Sequence, residues 1–195
     1  LVGTKGSGKT ALSHEFRDLL GYQHDEMTVC CYRDMSPRDL FMRRSTDSEG
    51  NTQWERSPVV TAALEGKLCV LDGIHRLTDD TLSSLASLTS DRELQMFDGT
   101  RVVSKKRHAE MIQRMMEEQN KVLNKEQCVA ELKRLGVHCV HPSFRLLALA
   151  EPPGKERDRW LQSETLGLNL DFTILPDLPL LDKVKFVTEG GISRN

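Results

Sequence analysis

The chain's first ten residues, Leu-Val-Gly-Thr-Lys-Gly-Ser-Gly-Lys-Thr, constrain its fold more than any other stretch. Gly3 to Thr10 matches G-x-x-x-x-G-K-[ST] at every fixed position, the Walker A phosphate-loop pattern. The residue types follow from what a phosphate needs. Gly3, Gly6 and Gly8 open backbone conformations that a Cβ would penalise. The backbone N–H groups of the turn, with Thr4, Lys5 and Ser7 among them, can then point inward as an anion nest. A helix starting near Lys9 adds the positive end of its dipole. Lys9 can reach the β- and γ-phosphates of a nucleotide, and the Thr10 hydroxyl can ligate Mg²⁺. Ala11, Leu12, Phe16, Leu19 and Leu20 carry helical spacing onward, and Gly21 is a stop signal.

A second strand supplies an acid. Residues 67–72 read Lys-Leu-Cys-Val-Leu-Asp, a short apolar run of the kind buried in parallel sheets. Asp72 emerges at the strand's C-terminal end, where open α/β sheets bind ligands. There its carboxylate can hold the Mg²⁺ complex opposite Thr10. ATPases of this type usually carry Glu next, to orient the attacking water, and here the residue is Gly73. His75 and Asp79 lie close by as substitutes, although an exposed position is the simpler expectation for His75. No catalytic residue is therefore assigned. Gly73→Glu is expected to raise turnover where the backbone accepts a side chain.

The order of the remaining segments resembles the dynein-related and MoxR-like branch of the AAA+ ATPases. Asp39-Leu40-Phe41-Met42-Arg43-Arg44 matches that branch's D-L-x-G-x-x segment, with Met42 replacing Gly. Ser57-Pro58-Val59-Val60 and Ala62-Ala63-Leu64-Glu65-Gly66 match the short helix that leads into the metal-binding strand. Asp98-Gly99, between two short alternating runs, signals a hairpin and matches the one placed before the branch's sensor strand. His141-Pro142-Ser143-Phe144-Arg145, followed by Leu146 to Ala150, matches its fourth strand. The resemblance covers about residues 1–180 and implies a P-loop NTPase fold, ATP and Mg²⁺ as ligands, and neighbouring AAA+ modules or subunits in a ring or pseudo-ring as partners. It implies an intracellular location, and a mitochondrial one by the large member it fits best.

Two departures besides Gly73 bear on turnover. Glu151 stands where the sensor strand usually ends in Asn, and Asn169 stands where an arginine finger is expected, with Arg157 and Arg159 upstream. Two functions therefore stand side by side: an ATP-hydrolysing module that drives conformational change in a larger assembly, and a degenerate nucleotide-binding module with a structural or assembly role.

The coarse pattern places strands near 27–32, 67–71, 145–150 and 171–175, alternating with helices near 9–20, 58–66 and 79–90. Alternation of this kind predicts an α/β fold with a parallel sheet flanked by helices. One AAA+ core is expected over 1–182, with a truncated or frayed segment over 183–195. Only Leu1 and Val2 remain of the first strand, and the helical lid of an AAA+ core is missing, so the chain reads as a fragment. Residues 104–137 read as an inserted helical hairpin. Ile112, Met116 and Leu123 share a face with Met115 and Val122 beside it, and Val129, Leu132 and Leu135 continue the pattern after a break near Asn124. Lys105-Lys106-Arg107 reads as a solvated charge run.

Composition closes off other classes. With Lys plus Arg at 27 and Asp plus Glu at 29, the net charge is -2, which argues against nucleic-acid binding by bulk charge. No apolar run reaches the length of a membrane span. The 5 cysteines show no paired framework. Cys30 and Cys31 are adjacent in an expected strand, so they face opposite sides and read as packing residues rather than a redox pair. The spacing of Cys128, His138, Cys139 and His141 fits no zinc template, and a loop entering a strand is the expectation for 138–141.

Overall fold

A computed structural model describes residues 1–118, 124–153 and 170–176. Its elements in chain order are α1 (Lys9–Leu19), β1 (Glu26–Cys30), α2 (Pro37–Phe41), β2 (Met42–Thr46), β3 (Thr52–Arg56), α3 (Pro58–Glu65) and β4 (Leu68–Asp72). A single 3-10 turn (Ile74–Arg76) leads to α4 (Asp79–Ser90), β5 (Leu94–Gln95), β6 (Arg101–Val103), α5 (Lys105–Glu118), α6 (Lys125–Arg134), β7 (Val137–Cys139) and β8 (Arg145–Leu149).

The expected parallel sheet is present. β4 lies between β1 and β8 and pairs in parallel with both. Val2 extends the sheet beyond β8, bridging Ala150 and, on its other side, Ile174. The order is therefore β1, β4, β8, Val2, Ile174. β4 is buried at Leu68, Cys69, Val70 and Leu71 because it is central and covered on both faces. The strand expected over 171–175 is reduced to the Ile174 bridge.

Local chemistry sets the helix ends. α1 stops in a Schellman turn: Gly21 sits at φ 79, its N–H donates to the Asp18 carbonyl, and the Tyr22 N–H donates to the Arg17 carbonyl. α3 starts at Ser57, whose Oγ accepts from the Val60 N–H, with Pro58 in the first turn. α4 buries Thr81, Leu82, Leu85 and Leu88, one stripe at helical spacing. The main core joins that stripe to Val59, Val60, Leu71, Ile74 and Leu40.

Several details depart from expectation. The apolar spacing of α1 is real, yet Phe16, Leu19 and Leu20 are exposed and Ser13 is the buried position. Polar residues of β2 and β3 form an antiparallel hairpin that hydrophobic periodicity does not signal. Val137–Cys139 is a strand, paired in parallel with β6, rather than a loop. Cys31 packs in the core as expected, but Cys30 is exposed on β1. The Asp98-Gly99 hairpin forms as read, with β5 antiparallel to β6 and Gly99 at φ 85. Helices α5 and α6 fall where the hairpin was expected, and they close a separate cluster of Val103, Ile112, Cys128, Leu132 and Val137. Asn124 caps α6 through a reciprocal box with Gln127. The expectations for Val122, Leu123, Arg157, Arg159, Asn169 and residues 177–195 lie outside the described residues.

Candidate functional site

Strand register brings the sequence's two strongest signals to one end of the sheet. Val2 runs parallel to β8, the Gly3 N–H donates to the Ala150 carbonyl at 3.1 Å, and the loop leaves from that point. On the other side of β8, Asp72 pairs with Leu149, and the Gly73 N–H donates to the Leu149 carbonyl at 3.0 Å. The phosphate-loop segment and Asp72 thus flank the C-terminal end of one strand, about 10 Å apart by strand spacing.

The loop has the form its glycines permit, by two different routes. Gly6 (φ 82) and Gly8 (φ 84) are left-handed, and a Cβ at either would meet open space, so these positions need glycine for backbone conformation. Gly3 is not among the left-handed glycines. A Cβ there would overlap Ser7 Oγ, so glycine serves close approach, which corrects the sequence argument for that residue. Ser7 Oγ is buried without a hydrogen-bond partner, and the Ser7 N–H donates to the Thr4 carbonyl at 3.1 Å. Lys9 Nζ donates to the Gly3 carbonyl at 2.7 Å and the Thr4 carbonyl at 2.9 Å, strapping the loop from inside. Lys5 is exposed, and Thr10 is exposed in the first turn of α1. The helix begins directly behind Gly8, so its unpaired N–H groups face the loop.

Around Asp72 the chain is tightly specified. The Cys31 N–H donates to the Asp72 carbonyl at 2.7 Å. Burial, then the Asp72 charge, push the Cys31 thiol up to about 12. Gly73 is buried at φ 87, and a Cβ there would come within 3.0 Å of the Arg76 guanidinium. Arg76 in turn donates to the Cys31 carbonyl at 3.3 Å. The backbone proviso attached to Gly73→Glu is therefore not met: this position favours glycine. The Arg76–Cys31 link, across 45 residues, has no signal in the sequence.

His75 is not the exposed residue expected. It is half-buried in the 3-10 turn, and its Nδ1 accepts the Glu151 N–H at 3.2 Å. Two positions that depart from the family pattern or flank such a departure are therefore in contact. Asp79 is exposed at the start of α4.

Among the described residues, no group of three or more His, Cys, Asp or Glu side chains converges on a metal site. Thr10 and Asp72 offer one hydroxyl and one carboxylate. That donor set fits a hard cation which takes its other oxygens from phosphate and water, as Mg²⁺ does.

The AAA domain (dynein-related subfamily) matches residues 1–167. The chain is 42% identical over 170 residues to von Willebrand factor A domain-containing protein 8 of Mus musculus, covering 86% of this chain and 8% of that protein. It is 35% identical over 98 residues to protein CbbQ of Hydrogenophilus thermoluteolus, covering 50% of this chain and 36% of that one. With protein NorQ of Paracoccus denitrificans the identity is 34% over 100 residues, 51% of this chain and 36% of that one. The crystal structure of a candidate ATPase from Cytophaga hutchinsonii superposes with a TM-score of 0.60 at 13% identity, over 99% of this chain and 46% of that chain, a likeness of fold.

Proposed function

From the premise that this chain belongs to the dynein-related subfamily of AAA domains, with the nucleotide-binding ATPase character of that family, we propose that Gly3, Thr4, Lys5, Gly6, Ser7, Gly8, Lys9 and Thr10 hold the phosphates of ATP, and that Thr10 and Asp72 hold its Mg²⁺. The observation that carries this reading is the register that sets the loop and Asp72 at the two sides of β8's C-terminal end. The nest N–H groups and the α1 N-terminus bind the phosphate oxygens. Lys9 turns from the Gly3 and Thr4 carbonyls toward the β- and γ-oxygens, exchanging neutral acceptors for charged ones. Bound Mg²⁺ supplies charge neutralisation at the phosphates.

Hydrolysis is in-line attack of water on the γ-phosphate, and it is slow at this site. Gly73 offers no carboxylate to orient the water, a contribution typically worth about 10²–10⁴-fold. The resulting change of nucleotide state drives conformational change in a larger assembly of AAA+ modules, an intracellular and mitochondrial one by the family resemblance. A second reading, in which nucleotide only stabilises or positions the module, draws on the left-handed backbone of Gly73. Turnover per site separates the two.

The test is titration of the full-length protein with a fluorescent ATP analogue and Mg²⁺, comparing wild type with Lys9→Ala. Affinity is expected to fall at least tenfold, or about 1.4 kcal/mol. Equal affinity would refute the assignment.

A further inference from the structure

We propose that the groove between α5 and the β5–β6 hairpin is a docking site for an acidic peptide segment of a partner protein, held by Arg101, Lys106 and Arg114. The inference stands apart from the nucleotide reading above. It starts from a charge run in the sequence. Lys105, Lys106 and Arg107 open α5, whose first turn holds no acidic residue. Cations in a first turn oppose the helix dipole, so the run weakens α5 rather than stabilising it.

The fold gives the members of the run separate places. Lys105 lies on the β7 side, where its charge acts on the Cys139 thiol. Arg107 pairs with Glu93 at 2.9 Å, and its N–H donates to Ser104 Oγ at 3.3 Å. Glu93 is fixed in turn, because its own N–H donates to the Ser87 carbonyl of α4 at 3.1 Å. This straps α5 to the hairpin, and a cavity of about 480 Å³ lies between them. Lys106 and Arg114 line it from α5, and Arg101 lines it from β6. Among the described residues, none of these cations forms an ion pair. The Arg101 backbone is held as well, its N–H donating to the Gly136 carbonyl at 2.9 Å. The cations therefore face one groove whose walls are already built, which lowers the cost of ordering them around a ligand.

The lining selects the occupant. Carboxylates match the guanidinium forks of Arg101 and Arg114 and the ammonium of Lys106. From Lys106 to Arg114 the groove runs about 12 Å along α5, the length of about four extended residues. Glu93 and Glu110 also line it, yet the lining keeps a positive surplus. These carboxylates repel a continuous phosphate backbone, and no aromatic side chain lines the groove to stack a base. They can instead accept the backbone N–H groups of a peptide. Met111 packs on the α5–α6 cluster and lines the groove, so it offers an apolar contact beside the charges. An acidic segment with one apolar residue fits this pattern, and a nucleic acid does not.

The experiment follows the fluorescence anisotropy of a fluorescein-labelled peptide, Glu-Asp-Leu-Glu-Asp, titrated with the full-length protein at low ionic strength. The wild type is expected to bind it and to lose affinity as salt rises. Lys106→Glu combined with Arg114→Glu is expected to weaken binding about tenfold or more, the scale of one hydrogen bond between charged groups. Both positions are exposed, so the variant keeps its fold. Arg114→Gln, which removes a charge without adding one, is expected to lose part of the affinity. Lys105→Glu combined with Lys125→Glu changes the net charge equally, but outside the groove lining, and is expected to leave binding near the wild-type value. An equal loss in the two double variants would reduce the effect to overall charge and overturn the inference. Undiminished binding in the groove variant, or no binding by the wild type, would overturn it too. So would a short single-stranded RNA that binds more tightly than the peptide and displaces it.

Discussion

Replacing Gly73 tests whether this position lacks a carboxylate by chance or because the backbone refuses one. The residue is buried at φ 87. A side chain in that left-handed region costs about 1–2 kcal/mol. A Cβ also meets the Arg76 guanidinium at 3.0 Å, which displaces Arg76 from the Cys31 carbonyl it holds at 3.3 Å. Losing that bond adds about 1 kcal/mol. Gly73→Ala is therefore expected to destabilise the protein by about 2–3 kcal/mol, a fall in Tm of about 4–12 °C for a chain of this size. Gly73→Glu recovers part of the loss, because its carboxylate lies beside Arg76 and pairs with it. That pairing diverts the carboxylate from water, so turnover stays slow. Thermal unfolding of both variants, alongside single-turnover hydrolysis, checks both halves. An unchanged Tm in Gly73→Ala, or fast hydrolysis in Gly73→Glu, would refute the reasoning.

Other consequences follow from burial and charge. Cys31 and Cys69, whose thiols burial pushes up to about 12, are expected to resist alkylation at pH 8 in the folded protein, while exposed Cys30 reacts; mass mapping after brief maleimide treatment reads this out, and labelling of Cys31 alongside Cys30 would contradict it. The His138 imidazole is held below its ordinary value by burial and then by Arg56, whose guanidinium donates to Nε2 at 2.9 Å. A base with a depressed folded pKa favours folding above its unfolded value of 6.5, and that stability declines as pH falls below it. Stability is thus expected to drop between pH 7 and pH 5, with His138→Gln flattening the drop in urea titrations, whereas an identical profile in the variant would count against it.

What the sequence discloses depends on how local the cause is. The phosphate loop is legible because its glycines answer to local backbone needs, although Gly3 serves a contact with Ser7 that only the fold reveals. β4 is legible because a central parallel strand is apolar up to its terminal Asp72, and α4 because its buried stripe has helical spacing. The β2–β3 hairpin is not, since β3 is exposed at every position and its ladder runs only to β2. Its one local signal is the turn in which the Asp47 carboxylate accepts the Asn51 and Glu49 N–H groups. β7 escapes for another reason: Val137–Cys139 becomes a strand only through β6, more than thirty residues earlier in the chain. The His75–Glu151 bond spans 76 residues. The sequence marks both positions and offers no means of joining them.

The central claim is that nucleotide lies on the Gly3–Thr10 loop against Asp72. Hydrogen exchange of the backbone N–H groups with and without saturating Mg·ATP tests it most directly, because the nest binds through those same groups. Slowed exchange is expected in peptides spanning residues 3–10 and 72–75, abolished by Lys9→Ala. Exchange unchanged in those peptides at saturating nucleotide, with protection elsewhere in the chain, would contradict it.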